Sequence, residues 1–301
     1  MGSDFVALSL PPMLIGTFAA MACALPGNFL LLRRQALIGD AISHVVLPGI
    51  VLAFLVTGAV ATLPMMLGAG AAALIAVLLI ETIRRIGRVE TGAAMGVVFT
   101  AMFAGGVILL ERSDTSSVHL DVEHALYGNL ESLIWLDATG WESLADPQAL
   151  AGLPPELGRM LAVFSLTALA VALFWRWLKM TSFDEGFARV MGLPTTGIGL
   201  GVVALSATAA VAAFDAVGSI IVIAMFICPP ATARLMTNRL DRQVMLSLAC
   251  AALAALLGYV LAGYGPIWIG AKASVSAAGM IASTSGVLLA LAALWAPHRK
   301  S

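Results

Sequence analysis

Apolar runs close to the roughly 20 residues needed to cross the hydrocarbon core of a bilayer recur along the chain, separated by charged or Pro- and Gly-containing breaks. Nine such runs predict nine membrane-spanning α-helices: Pro12–Leu32, Ala41–Val60, Leu63–Ile80, Gly92–Leu110, Met160–Leu178, Thr196–Phe214, Val217–Leu235, Val244–Leu261 and Val275–Trp295. The expected fold is an all-α polytopic transmembrane helix bundle forming a single domain over residues 1–301. Small residues recur inside the runs, as in Gly68 to Ala71, Ala207 to Ala213 and Ala251 to Ala255, and let helices approach closely.

The polar breaks orient the spans. With the N-terminus outside and the spans alternating, Arg33, Arg34, Arg84, Arg85, Arg88, Arg176, Lys179, Arg189, Arg234, Arg239, Arg242, Arg299 and Lys300 face the cytoplasm. Only Arg112, Arg159 and Lys272 fall outside, a split of thirteen to three that obeys the positive-inside rule. Removing a middle span would destroy this split, whereas losing the first, leaving eight, would only relocate the N-terminus. The segment Glu111 to Arg159 then lies on the outer face with nine acids against two arginines. It also carries His119, His124 and the apolar stretches Leu126-Tyr127 and Leu133 to Leu136, which suit interfacial helices packed on the bundle. An acidic outer vestibule concentrates cations; a solvated cap without that role is the alternative.

Composition agrees with the pattern. Hydrophobic residues make up 60% of the 301 residues and charged ones 11%, against about 25% charged in a soluble domain. Mean hydropathy is +0.99. The net charge is −1 and the basic residues fall in short clusters, which excludes a nucleic-acid partner. Cys23, Cys228 and Cys250 all sit in apolar runs and read as small buried hydrophobes rather than a disulfide or zinc framework. The first basic residue is Arg33, so the N-terminus lacks the basic region of a secretory signal and reads as part of the mature protein. No Gly-x4-Gly-Lys-Ser/Thr loop occurs, since Gly265 to Lys272 has Ala271 before the lysine, and neither His-Glu-x-x-His nor Gly-x-Ser-x-Gly is present. The chain is therefore not expected to be an enzyme; any ATP hydrolysis belongs to a separate chain.

Ionisable residues inside a span are disfavoured by about 2.5–3.5 kcal/mol each and point to function. Asp40 and His44 open the second span four residues apart, on one helix face with Cβ atoms about 5–6 Å apart, within reach of one cation. A carboxylate with an imidazole suits Mn²⁺, Fe²⁺ or Zn²⁺ better than an all-thiolate or all-oxygen set. Pro48 has no N–H to give the His44 carbonyl and bends the helix beside this pair. The competing assignment makes Asp40 an N-cap, with Ser43 and His44 bonded to neighbouring helices.

Between two spans on the cytoplasmic side, Phe183, Phe187 and Val190 follow helical spacing, with Asp184, Glu185 and Arg189 off that face and Gly192 as a stop. Such a short amphipathic helix over 181–193 lies on the membrane or inserts its aromatic face into a partner's groove. Asp215, near the outer end of a span, is either an entry ligand or a helix cap, and Pro229-Pro230 must break the ladder of the following span as a kink or hinge.

Three stretches together resemble the manganese, zinc and iron ABC importer permeases, the ABC-3 family. Leu32 to Gly49 resembles its signature, Phe183-Asp184-Glu185 through Ala188 to Gly192 its coupling segment, and Ala216-Val217-Gly218 through Pro229 to Leu235 its late-span motif. His119 to Glu131 is similar to the external segment of its longer members. The resemblance implies a permease subunit in a bacterial plasma (inner) membrane, dimerised with an identical or sister permease on two cytoplasmic ABC ATPase subunits and fed by an extracytoplasmic metal-binding protein. It implies Asp40 and His44 as ligands of the transported divalent metal ion, Mn, Fe or Zn, with no permanently bound cofactor. Phe183, Asp184, Glu185, Phe187, Ala188 and Gly192 become the ATPase-docking residues. Leu136 to Leu157 has no clear counterpart in the shorter members. The alternatives are a siderophore or cobalamin permease, which needs a wide pocket, and a secondary metal transporter, which needs no ATPase.

Overall fold

A computed structural model describes residues 4–36, 38–58, 62–112, 130–268, 270 and 275–295. The described residues form helices and no strand: α1 Leu10–Leu32, α2 Ile38–Thr57, α3 Thr62–Gly87, α4 Thr91–Arg112, α5 Pro147–Ala151, α6 Pro155–Leu173, α7 Trp175–Phe183, α8 Glu185–Val190, α9 Thr195–Val217, α10 Ser219–Met236, α11 Leu240–Trp268 and α12 Ala277–Trp295. Seven described stretches, including Phe5–Leu32 and Leu240–Trp268, are long and apolar enough to cross a membrane, and α2 and α10 contribute the shorter apolar stretches Pro48–Thr57 and Ile221–Met236. Even the 18 residues of α10 rise about 27 Å, close to the hydrocarbon thickness of about 30 Å. Each of the nine expected spans thus falls on a helix, and the chain is an integral membrane protein.

Two expected boundaries are corrected. The fifth span is not Met160–Leu178: α6 begins at Pro155 and stops at Leu173, and after Phe174 the chain continues as the separate helix α7. Trp175 and Trp177 look apolar in the sequence, yet they share α7 with Arg176 and Lys179, the aromatic and basic composition that suits a membrane interface. Val217 closes α9 instead of opening the seventh span, because Gly218 at φ 81° breaks the chain before α10.

Packing divides the bundle into a post and its surroundings. α1 is the post, in contact with α6, α9, α10 and α11. Ile15, Ala19, Ala22, Cys23, Ala24, Phe29 and Leu30 are buried on all its faces, which is what a helix apolar all round should do at the centre of a bundle. α2, α3 and α4 form a group of their own, joined to the rest through α9 and α10. The tightest contact in this group is glycine on glycine. A Cβ on Gly68 of α3 would stand 2.4 Å from the Gly49 carbonyl oxygen of α2, and a Cβ on Gly49 would stand 2.4 Å from the Gly68 oxygen. The outer faces of α3, α4 and α6 expose Leu67, Ile75, Leu78, Val97, Ile108, Leu166 and Leu173, as lipid-facing helices do.

Several buried polar side chains are bonded within this apolar frame. Ser206, Thr232, Thr284 and Ser285 donate to the carbonyl one turn earlier in their own helices. Asn28 of α1 instead bridges helices: its amide donates to Ser247 Oγ at 2.6 Å and to the Ala24 carbonyl at 2.7 Å, and its Oδ1 accepts from Gln243 Nε2 at 3.1 Å. Asn28, Gln243 and Ser247 are fully buried.

The described part of the outer segment packs on the bundle as short turns rather than interfacial helices of any length. Trp135 is fully buried against Val6 and Ala149. Its indole N–H donates to the Ala149 carbonyl at 2.8 Å and its backbone N–H to the Ala7 carbonyl at 2.8 Å. Glu131 accepts from the backbone N–H of Ala277, satisfying one donor at the start of α12. Asp137, Glu142 and Asp146 remain exposed.

Candidate functional site

The backbone of α2 places Asp40 and His44 one turn apart, Asp40 being the third residue of the helix. It is therefore not the residue that precedes the helix, and the N-cap assignment fails on position. The Asp40 side chain lies outside the described residues, as do His119, Asp121 and His124. The His44 imidazole is half-buried and held by α4: it stacks on Phe99 with ring centroids 5.4 Å apart and planes 25° apart, and meets Phe103 edge-on at 5.8 Å and 81°. One turn further along α2, Pro48 lies against α4 so closely that a Cβ on Gly106 would come 2.8 Å from the proline Cβ. α2 is thus gripped by Gly68 on one flank and by Gly106, Phe99 and Phe103 on the other. Among the described residues no group of three or more His, Cys, Asp and Glu side chains comes together.

Phe99 and Phe103 are absent from the sequence-derived candidates. Their spacing of four residues puts them on one helix face, but an aromatic pair in a span reads equally as a lipid-facing surface. What singles them out is the contact with His44.

The remaining candidates lie elsewhere. Asp215 is within α9, three residues before Gly218, with its side chain outside the described residues. The position before α10 belongs to Gly218. Pro229 and Pro230 lie inside α10, which continues through them to Met236.

The segment 181–193 is built by local capping. Asp184 precedes α8 and its carboxylate accepts from the Phe187 N–H at 2.8 Å, while Glu185 pairs with Arg189 at 3.0 Å. At the other end Leu193 N–H reaches the Ala188 carbonyl and Gly192 N–H the Arg189 carbonyl, both at 3.0 Å, with Gly192 at φ 79°. This is the paired C-terminal closure that a left-handed glycine permits. Ala188 is fully buried, whereas Phe183, Phe187, Val190 and Met191 are exposed, Val190 by 86%. A six-residue helix capped at both ends therefore presents an apolar surface.

Next to this helix is an open cleft lined by Arg33, Ile38, Ala41, Arg84, Glu185 and Gly199, among others. It joins the end of α1, the start of α2, the end of α3 and the start of α9 to α8. Arg33 reaches across it, its Nη2 donating to Thr181 Oγ1 at 2.6 Å and its Nε to Ser182 Oγ at a longer 3.5 Å. Burial lowers the affinity of this guanidinium for its proton, and the Glu185 carboxylate opposes that effect.

Comparison with known proteins places these elements among transporters. The model of the ABC 3 transport family matches residues 7–137 and 150–296. The manganese transport system membrane protein MntD of Bacillus subtilis is 37% identical over 282 residues, covering 94% of this chain and 90% of the relative. The zinc transport system membrane protein TroD of Treponema pallidum is 36% identical, covering 96% of this chain and 74% of the relative. Among solved structures, PsaBC of Streptococcus pneumoniae, in complex with a Fab, superposes with a TM-score of 0.75 at 26% identity, covering 96% of this chain and 92% of that chain.

Proposed function

We propose, given that this chain belongs to the ABC 3 transport family, that it is the membrane-spanning permease of an ATP-driven importer in a bacterial inner membrane and carries Mn²⁺, Fe²⁺ or Zn²⁺. The observation that carries the reading is the placement of Asp40 and His44 one turn apart on α2, with the His44 ring set by Phe99 and Phe103. The three metals share a preference for one imidazole and one carboxylate, so these ligands define a class and not a single ion. The naming of relatives for manganese and for zinc supports the same breadth.

The mechanism is alternating access. An extracytoplasmic metal-binding protein releases the cation at the outer face, where exposed acids raise its local concentration. Asp40 and His44 hold it briefly; a site with one carboxylate and one imidazole per permease releases what a closed four-ligand zinc site would retain. Two permeases, identical or paired with a sister chain, share two cytoplasmic ATPase subunits. Each ATPase receives the apolar face of α8 formed by Phe183, Phe187 and Val190 in a groove, with Asp184, Glu185, Ala188 and Gly192 fixing the shape of the helix. Asp215 at the outer end of α9 and Pro229-Pro230 in α10 are candidate entry and hinge positions.

The test is uptake by the reconstituted transporter, comparing Mn²⁺, Fe²⁺ and Zn²⁺ together with metal-stimulated ATP hydrolysis. Asp40→Ala and His44→Ala should each abolish uptake while the ATPase still co-purifies. Undiminished uptake in both variants would refute the ligand assignment.

A further inference from the structure

A charged side chain bonds the end of α1 to the α7–α8 junction, beside the Phe29–Trp175 ring contact between α1 and α7. Arg33 closes α1, and the described residues 33–36 lie between it and α2, whose third residue is Asp40. This elbow is short and closely bonded: Gln35 N–H reaches the Leu30 carbonyl at 2.8 Å, Arg34 N–H the Leu31 carbonyl at 3.1 Å, and Ile38 N–H the Gln35 carbonyl at 3.0 Å. Arg34 adopts φ 57°, the left-handed position of the same terminal closure seen at Gly192. With so few free torsions between Arg33 and α2, a displacement of the Arg33 backbone reaches α2 with little loss.

The other end of the link is the approach to α8. Thr181 and Ser182 are in the last turn of α7, immediately before Asp184 and α8, and Thr181 is buried. The guanidinium that bonds them rests on α9 at Gly199, where an added Cβ would come 2.9 Å from Nη1. Glycine at that position leaves the channel through which the side chain passes. Glu185, the first residue of α8, supplies the nearby negative charge. A positive group that is half-buried, bonded to hydroxyls and facing one carboxylate has few other places to go, so it follows the residues that hold it.

We propose that Arg33 is a positioning residue that transmits displacement of α8 to α2, through its bond to Thr181 and the bonded elbow of residues 33–36. The inference rests on the transport function given above. When the ATPase subunits move α8, the α7–α8 junction carries Thr181 and Ser182 with it; their bonds to the guanidinium pull the end of α1 and tilt the first turn of α2. The bond joins residues 148 apart in sequence and acts on the start of the helix that bears Asp40 and His44.

The decisive measurement compares uptake with ATP hydrolysis in the complete complex of permease and ATPase, using Mn²⁺, Fe²⁺ and Zn²⁺ as probes. Arg33→Ala and Thr181→Val should each lower uptake by about tenfold or more, the factor carried by a lost hydrogen bond to a charged group, while ATP hydrolysis stays within about twofold of the parent. The double variant should be no worse than either single one, as expected for two ends of one link. Arg33→Lys, which keeps the charge but loses the fork, should recover part of the uptake. Additive effects, parallel loss of hydrolysis and uptake, or unchanged uptake in Arg33→Ala would each overturn the proposal. If the unaltered complex transports none of the three ions, the functional assignment fails first; if it transports and Arg33→Ala transports equally, only the linkage fails.

Discussion

Replacing Gly68 by Ala tests how α2 is held. The new methyl would stand 2.4 Å from the Gly49 oxygen and 2.6 Å from the Ala53 Cβ. Ordinary van der Waals contact begins near 3.4 Å, so α3 must withdraw from α2 by roughly 1 Å, or α2 must shift toward α4. The second escape is blocked by Pro48 against Gly106, where the contact is already tight. Overpacking of this kind destabilises by about 1–3 kcal/mol, a factor of roughly 5–150 in the folded-to-unfolded ratio. Gly70→Ala is the matched control: it lies on the same helix two residues later, nothing lies within 4 Å of its added Cβ, and Ala is favoured over Gly in a helix by up to about 1 kcal/mol. Thermal unfolding of the two variants in detergent, with metal uptake in vesicles, gives the readout. Gly68→Ala should unfold at lower temperature and transport less than the parent, and Gly70→Ala should match or exceed the parent in stability. Equal behaviour of the two variants would refute the close packing of α2 on α3.

Two further substitutions address other parts of the fold. Asn28→Ala removes the acceptor of the Gln243 amide and one of the two bonds of Ser247, which keeps its bond to the Val244 carbonyl, and the unpaired buried amide should lower stability by about 1–3 kcal/mol, read as a reduced unfolding temperature with ATPase association retained by the surviving folded fraction. Trp135→Phe keeps most of the ring volume but loses the bond to the Ala149 carbonyl; about 1 kcal/mol of local stability should disappear, detectable as faster proteolysis near residues 136–150 without loss of the membrane bundle.

The spans were legible because bilayer thickness sets their length. Their ends were not, since hydropathy counts Trp175 and Trp177 as membrane residues although the chain has already turned at Phe174. Gly218 carried a usable signal for the break before α10, and the position of Val217 follows from it. The pairing of Asp40 with His44 could be read from a spacing of four, a property of one helix. The setting of His44 between Phe99 and Phe103 could not, because it depends on which face α4 turns toward α2. Arg33 illustrates the same boundary: in the sequence it is one of thirteen charges expected on the cytoplasmic side, and only the fold brings Thr181 to within 2.6 Å of it. Local capping at Asp184 and Gly192 was visible because both ends of the short helix lie within a few residues of each other.

The amide of Asn28 has consequences for biogenesis. α1 is made early and its bridging partners Gln243 and Ser247 belong to α11, more than 200 residues later in synthesis. During that interval the first helix must remain in lipid on its apolar majority alone, its side-chain amide served only by the Ala24 carbonyl of its own turn. The last third of the polypeptide therefore supplies the clasp that fixes the first, and a ribosome-bound fragment ending before α11 would hold an inserted but unfastened bundle.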